Sequence, residues 1–111
     1  MRRSSALVAV ALLPLFTACA EPVPEPYASP DSVVHDVVDD VYLVSNVHGD
    51  ATTKDGNGSI CRVRPDGTML DRRFIVGGER GVTLHAPKGM AIAGDVLWVA
   101  DIDVLRRFDR K

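Results

Sequence analysis

The sequence predicts an all-β protein, the first one to two blades of a β-propeller, and three observations carry that prediction. First, Asp40-Val41-Tyr42-Leu43-Val44-Ser45-Asn46 returns 55 residues later as Asp95-Val96-Leu97-Trp98-Val99-Ala100-Asp101. Each copy is an acidic turn residue, an unbroken apolar run, a small residue and a short polar one. An apolar run of strand length, rich in Val and aromatics, reads as a strand covered on both faces. Second, the flanks match. Ile60-Cys61-Arg62-Val63 answers to Leu105-Arg106-Arg107-Phe108, and Pro30-Asp31-Ser32-Val33 to Pro87-Lys88-Gly89-Met90. Third, no helical periodicity stands out after the first residues. Repeats of this period, each a small antiparallel sheet, build propellers or β-solenoids.

The elements follow in order. Residues 1–18 read as a lipoprotein-type export signal: Arg2 and Arg3, an apolar stretch from Ala6 to Phe16, then small residues. That stretch is too short to cross a bilayer as a helix. Leu15-Phe16-Thr17-Ala18-Cys19 resembles a lipobox, which makes Cys19 the lipidation site; ordinary cleavage at the small-x-small run Ala18-Cys19-Ala20 fits the same residues. Residues 19–30 follow as a tether. Pro22, Pro24, Pro26 and Pro30 favour extended polyproline II, a semi-rigid spacer.

The folded part is expected over residues 31–111. Val33 to Val38 is predicted as a first strand, with Asp39-Asp40 as its turn, and Val41 to Asn46 as the second. His48 to Gly58 is a polar loop. The matched strands are ten residues further apart here than in the second copy, and repeat proteins place function-specific insertions at such loops. Ser59–Arg64 and Met69–Val76 form a hairpin, closed by Pro65-Asp66-Gly67: Pro presets φ and Gly supplies the left-handed residue. Gly77 to Pro87 is a long connection. Gly89–Ala93, Val96–Ala100 and Val104–Phe108 are three strands of an incomplete second blade. Blade one thus spans about 31–76 and blade two about 87–111. A propeller closes on about four to eight blades, so the chain reads as the N-terminal part of a longer protein. The alternative is a small free-standing antiparallel sheet.

Composition narrows the partners. The formal net charge is −2 at pH 7, and it becomes −4 once Arg2 and Arg3 leave with the signal. The chain is mildly acidic with no basic cluster, which argues against nucleic acid. Membrane attachment would come through the N-terminal lipid. If Cys19 is lipidated, Cys61 has no intrachain partner and reads as a small buried apolar residue.

Among candidate sites, Asn46 and Asp101 end the matched strands, where hard oxygen ligands would suit Ca²⁺ or Mg²⁺. The competing reading is a strand-end turn residue bonding its own backbone. Asp55-Gly56-Asn57-Gly58-Ser59 opens like a calcium loop but has Ile60 at the sixth position, where that loop needs Gly, so a turn is expected. His48 and His85 fall in loops that could meet at one mouth of a propeller. His35, His48 and His85 lack zinc-ligand spacing. No phosphate loop, Ser-His-Asp order or nucleophile elbow is present.

The pattern Pro87-Lys88-Gly89-Met90-Ala91-Ile92, Asp95 to Asp101 and Leu105-Arg106-Arg107-Phe108-Asp109 looks like an NHL-type propeller repeat. From Pro30 onward the chain is similar to the gluconolactonase, or regucalcin-like, family. That resemblance implies a six-bladed propeller, lactone hydrolysis on a small-molecule substrate, and a divalent cation in the central channel. It places Asp31 where family members usually carry a Glu ligand, with Asn46 as a further candidate. The remaining ligands and the catalytic acid/base would lie in later blades, so this chain alone is expected to be inactive. A non-enzymatic propeller binding a sugar, peptide or protein is the alternative.

Overall fold

The structure is a computed structural model that describes residues 27–111. The expected signal, Cys19 and most of the tether lie outside the described residues. The described chain forms seven strands in two antiparallel sheets. The first contains β1 (Pro30–Asp36), β2 (Val41–Asn46), β3 (Ser59–Val63) and β4 (Met69–Val76), in the order β1-β2-β3-β4. The second contains β5 (Pro87–Ala93), β6 (Val96–Asp101) and β7 (Val104–Asp109), in the order β5-β6-β7.

Six of the seven strands fall within two residues of their expected bounds. The first strand is the exception, since it begins at Pro30 and ends at Asp36 rather than running from Val33 to Val38. The cause is Asp36. Its buried carboxylate accepts the backbone N–H of Val38 at 3.0 Å and of Asp39 at 3.3 Å, which bends the chain into a turn. Val37 and Val38 are consequently 74% and 71% exposed at the tip, although composition alone favours a strand there. The end of the expected tether is also held: Val47 donates to the Ser29 carbonyl and His48 to the Ala28 carbonyl, each at 3.0 Å.

The registers make the repeat concrete. Val33↔Val44 and Leu43↔Arg62 in the first sheet correspond to Met90↔Val99 and Trp98↔Arg107 in the second. Pro30↔Asn46 corresponds to Pro87↔Asp101, and a register shift follows each proline. Proline has no N–H for the ladder, so it sits at a strand start beside an irregularity. The first hairpin has a four-residue tip, Val37 to Asp40, and its counterpart a two-residue tip, Gly94-Asp95.

Packing between the sheets uses different faces of the two copies. In β2, Val41, Leu43 and Ser45 are buried, with Tyr42 and Val44 half-buried between them. In β6 the alternation is inverted: Leu97 and Val99 are buried, Val96 and Trp98 half-buried and Ala100 exposed. By register, Leu97 and Val99 are the counterparts of Tyr42 and Val44. Leu43, Ile60 and Ile75 of the first sheet therefore meet Leu97 and Val99 of the second, with Leu84 of the connection among them. Val34, Met90, Ile92 and Phe108 pack around this cluster. Full burial of one such side chain is worth about 1.5–3 kcal/mol, so this seam is the main apolar core. Ser45 crosses it as well, donating its hydroxyl to the Lys88 carbonyl at 2.9 Å.

One arginine closes the hairpin-tip end of the seam. Arg110 is 2% exposed and donates Nη1 to the Asp36 carboxylate at 2.6 Å, Nη2 to Asp95 at 3.1 Å and Nε to the Gly94 carbonyl at 3.2 Å. It joins the tip of one sheet to the tip of the other. Burial alone would raise the Asp36 carboxyl, but the Arg110 hydrogen bond and the two turn amides outweigh it and hold it below its ordinary range.

Candidate functional site

The expected site residues lie at the opposite end of the sheets, where β1 and β5 begin and β2 and β6 finish. Asp31 sits on β1 with its side chain exposed. Asn46 ends β2 and is 2% exposed; Asp101 ends β6 and is 1% exposed.

The two buried residues perform the same backbone task in each repeat. Asn46 Oδ1 accepts the N–H of Ala28 at 3.1 Å, and Asp101 Oδ2 accepts that of His85 at 3.0 Å. Ala28 and His85 each stand two residues before the proline that opens the sheet. The side chain at the end of the second strand thus pins the segment leading into the first. Asp101 adds the Ala86 N–H on Oδ1 at 2.7 Å and Arg106 Nε on Oδ2 at 2.5 Å. At the equivalent place, Asn46 Nδ2 donates to Cys61 Sγ at 3.6 Å, and Cys61 is the register counterpart of Arg106. Charged pair and neutral pair occupy one structural position.

The electrostatics follow. Burial pushes the Asp101 carboxyl up, while Arg106 and the two amides push it down further, so it lies below its ordinary value. Burial pushes the Cys61 thiol up, which keeps it protonated and a poor nucleophile. Asn46 Oδ1 accepts one N–H donor and the two Asp101 oxygens accept three, so these oxygens are engaged by the protein itself. No three His, Cys, Asp or Glu side chains gather to hold a metal ion among the described residues.

The inserted loop, residues 47–58, is the other distinctive feature of this end. It lies across the seam and is held by the second sheet and its connection. Lys54 pairs with Asp103 at 2.7 Å, and Lys88 Nζ donates to the Ala51 carbonyl at 2.7 Å. His85 Nδ1 accepts the Gly56 N–H at 2.9 Å, which requires that nitrogen to be unprotonated. His48 Nε2 and Ser59 Oγ are 2.8 Å apart, fastening the loop at its base. His48 and His85 therefore hold two points of one loop.

Two glycines permit that docking. Gly58 donates to the Leu84 carbonyl at 3.0 Å and Gly77 to the Gly58 carbonyl at 2.8 Å. A Cβ at Gly77 would strike the Leu84 and Gly56 carbonyl oxygens; one at Gly58 would strike the Pro87 ring and the His85 carbonyl. All but the ring carbon are backbone atoms.

Sequence reasoning missed Arg106, Arg110 and this glycine pair. The signal for Arg106 was its alignment with Cys61, a charge set against a buried apolar residue. Further out, a cavity of about 400 Å³ opens between β4 and β7, lined by Phe74, Val76, Arg80, Val82 and Phe108. No family model, no curated protein and no solved structure matches the chain.

Proposed function

We propose that this chain supplies adjacent blades of a lipid-tethered β-propeller in a bacterial cell envelope, working as a binding scaffold rather than through chemistry of its own. The inverted burial of β2 and β6 carries the reading. The first sheet covers its neighbour with the Leu43 face and leaves the Tyr42 face outward; the second is covered on the counterpart of the Tyr42 face and leaves the counterpart of the Leu43 face outward. Successive blades of a propeller stack in this head-to-tail sense. A free-standing sandwich would instead face like against like or leave polar outer faces.

The preference for binding over hydrolysis rests on Asn46 and Asp101. A cation-dependent lactone hydrolase, as the gluconolactonase resemblance implies, would draw on Asp31 and Asn46, and Asn46 Oδ1 would have to share its oxygen between the cation and the Ala28 amide it already accepts. The ligand of the scaffold, a sugar, peptide or protein segment, would meet the end carrying the 47–58 loop, where repeat folds gather recognition. Cys19 would hold the assembly to the membrane by its lipid.

Calorimetric titration of Ca²⁺ into the chain, with turnover of gluconolactone measured in parallel, tests the choice. The scaffold predicts no heat below millimolar Ca²⁺ and turnover no faster than buffer. Tighter binding that Asp31→Ala abolishes would favour the hydrolase. Loss of the protein from the membrane fraction on Cys19→Ser checks the anchor.

A further inference from the structure

Resting on the blade reading, we propose that the outward faces of the two sheets bind each other between copies, so that this chain assembles head-to-tail with itself. The argument is continuity with the seam already inside the molecule. Leu43, Val34 and Ile60 of the first sheet cover Leu97, Val99, Met90 and Ile92 of the second. The counterparts of the covering residues are Trp98, Ala91 and Leu105, on the outward face of the second sheet, where Trp98 is half-buried, Ala91 exposed and Leu105 64% exposed. The counterparts of the covered residues are Tyr42, Val44, Val33 and His35, on the outward face of the first, where Val33 is 58% exposed, Tyr42 and Val44 are half-buried and the His35 ring stacks on Tyr42 at 4.6 Å. One chain thus presents both halves of an interface it has already made once.

The volumes compensate across that second seam. Trp98 is larger than Leu43, but its cross-strand neighbour Ala91 is smaller than Val34. Tyr42 is larger than Leu97, and its cross-strand neighbour His35 replaces Ile92, while Val33, opposite Val44, is smaller than Met90. The Trp98 ring is set beside the small Ala91, and the small Val33 and Val44 lie opposite each other on the receiving face, so Trp98 can insert there as Leu43 does against Leu97 and Val99. Apolar side chains left exposed on such faces, as Leu105 and Val33 are here, mark association surfaces. The interface is heterologous, since the face that docks differs from the face that receives. Such contacts close into a ring when the rotation per unit allows it and otherwise run on as a filament.

Sedimentation velocity on the full chain, exported and carrying Cys19→Ser so that no lipid drives association, reads the mass across the micromolar range. The expected result is concentration-dependent association in multiples of the chain. Trp98→Glu on the docking face, or Val44→Glu on the receiving face, should each weaken it by roughly tenfold or more. The decisive sample is the equimolar mixture of the two variants. Each keeps the face the other has lost, so the mixture forms a one-to-one dimer and grows no further, while each variant alone stays monomeric. Far-UV circular dichroism confirms that both variants retain the sheet signal; Ala100→Glu and Val33→Glu repeat the test at the face edges if either unfolds. A wild-type chain monomeric throughout the range, or a mixture that does not pair, overturns the proposal. Energetic coupling between Leu43 and Leu97 separates the two failures. A monomer that keeps this coupling sinks self-assembly alone, and a chain without it sinks the blade reading too.

Discussion

Leu43→Ala is the most direct probe of the seam. Leu43 is wholly buried and lies on the first sheet against Leu97 and Val99 of the second, so the truncation removes apolar contact between sheets rather than within one. Leu→Ala in a packed core costs about 2–5 kcal/mol, the transfer of the lost carbons plus the cavity left behind. Strands on both sides hold the backbone by ladder hydrogen bonds and limit collapse into the gap. We therefore expect about 3 kcal/mol, and for a domain of this size each kcal/mol shifts Tm by about 4–8 °C. Urea denaturation followed by circular dichroism gives the loss, and Leu97→Ala with the double variant completes a cycle. Contacting residues should couple by about 0.5–3 kcal/mol. A loss below about 1 kcal/mol, or strict additivity, would mean that the two sheets do not rest on one another as described.

The remaining predictions follow from the two ends of the seam. Gly77→Ala should destabilise by about 1–3 kcal/mol through overpacking against the Leu84 and Gly56 carbonyls, measured by urea midpoint; a neutral result would remove the close approach of loop and connection. Asp101→Asn leaves Arg106 without its carboxylate partner and should cost about 1–3 kcal/mol in the same assay, whereas Asn46→Asp should not stabilise, because its neighbour is Cys61 and not an arginine. Asp36 and Asp101 both titrate below the ordinary 3.8. Their folded forms favour the carboxylate, so their contribution is complete above the unfolded value and fades as pH falls through the lower folded one. Thermal melts should be flat above about pH 5 and drop below about pH 4, with the drop shallower in Asp101→Asn; an unchanged slope would show that Asp101 is not the group involved.

The strands were legible because the apolar runs Val41–Val44 and Val96–Val99 are bounded by acidic turns and end in polar residues. Their faces were not, because a continuous apolar run carries no alternation by which to say which side is covered. That difference emerges only from the packing, which buries Leu43 in one copy and Leu97, not Trp98, in the other. Asn46 and Asp101 were visible as matched polar ends, read either as cation ligands or as turn residues bonding their own local backbone. The partner could not be read, since the amides they accept lie 18 and 16 residues earlier in the chain and arrive by topology. Nothing in the sequence singled out Arg110; only the placement of Asp36, Asp39 and Asp95 around it makes it a buried tie. The end of the first strand was misjudged because Val37 and Val38 favour strands, while the carboxylate before them dictates the bend.

The loop of residues 47–58 reaches across to the neighbouring sheet, while its counterpart in the second sheet is only Ile102-Asp103. Twelve residues can lash one sheet to the next; two cannot. Every junction inside a chain would then be tied, and every junction beyond it would rely on side-chain contact alone. Under heat or mild denaturant such an assembly should part along alternate joints, releasing intact pairs of sheets long before any single sheet unravels.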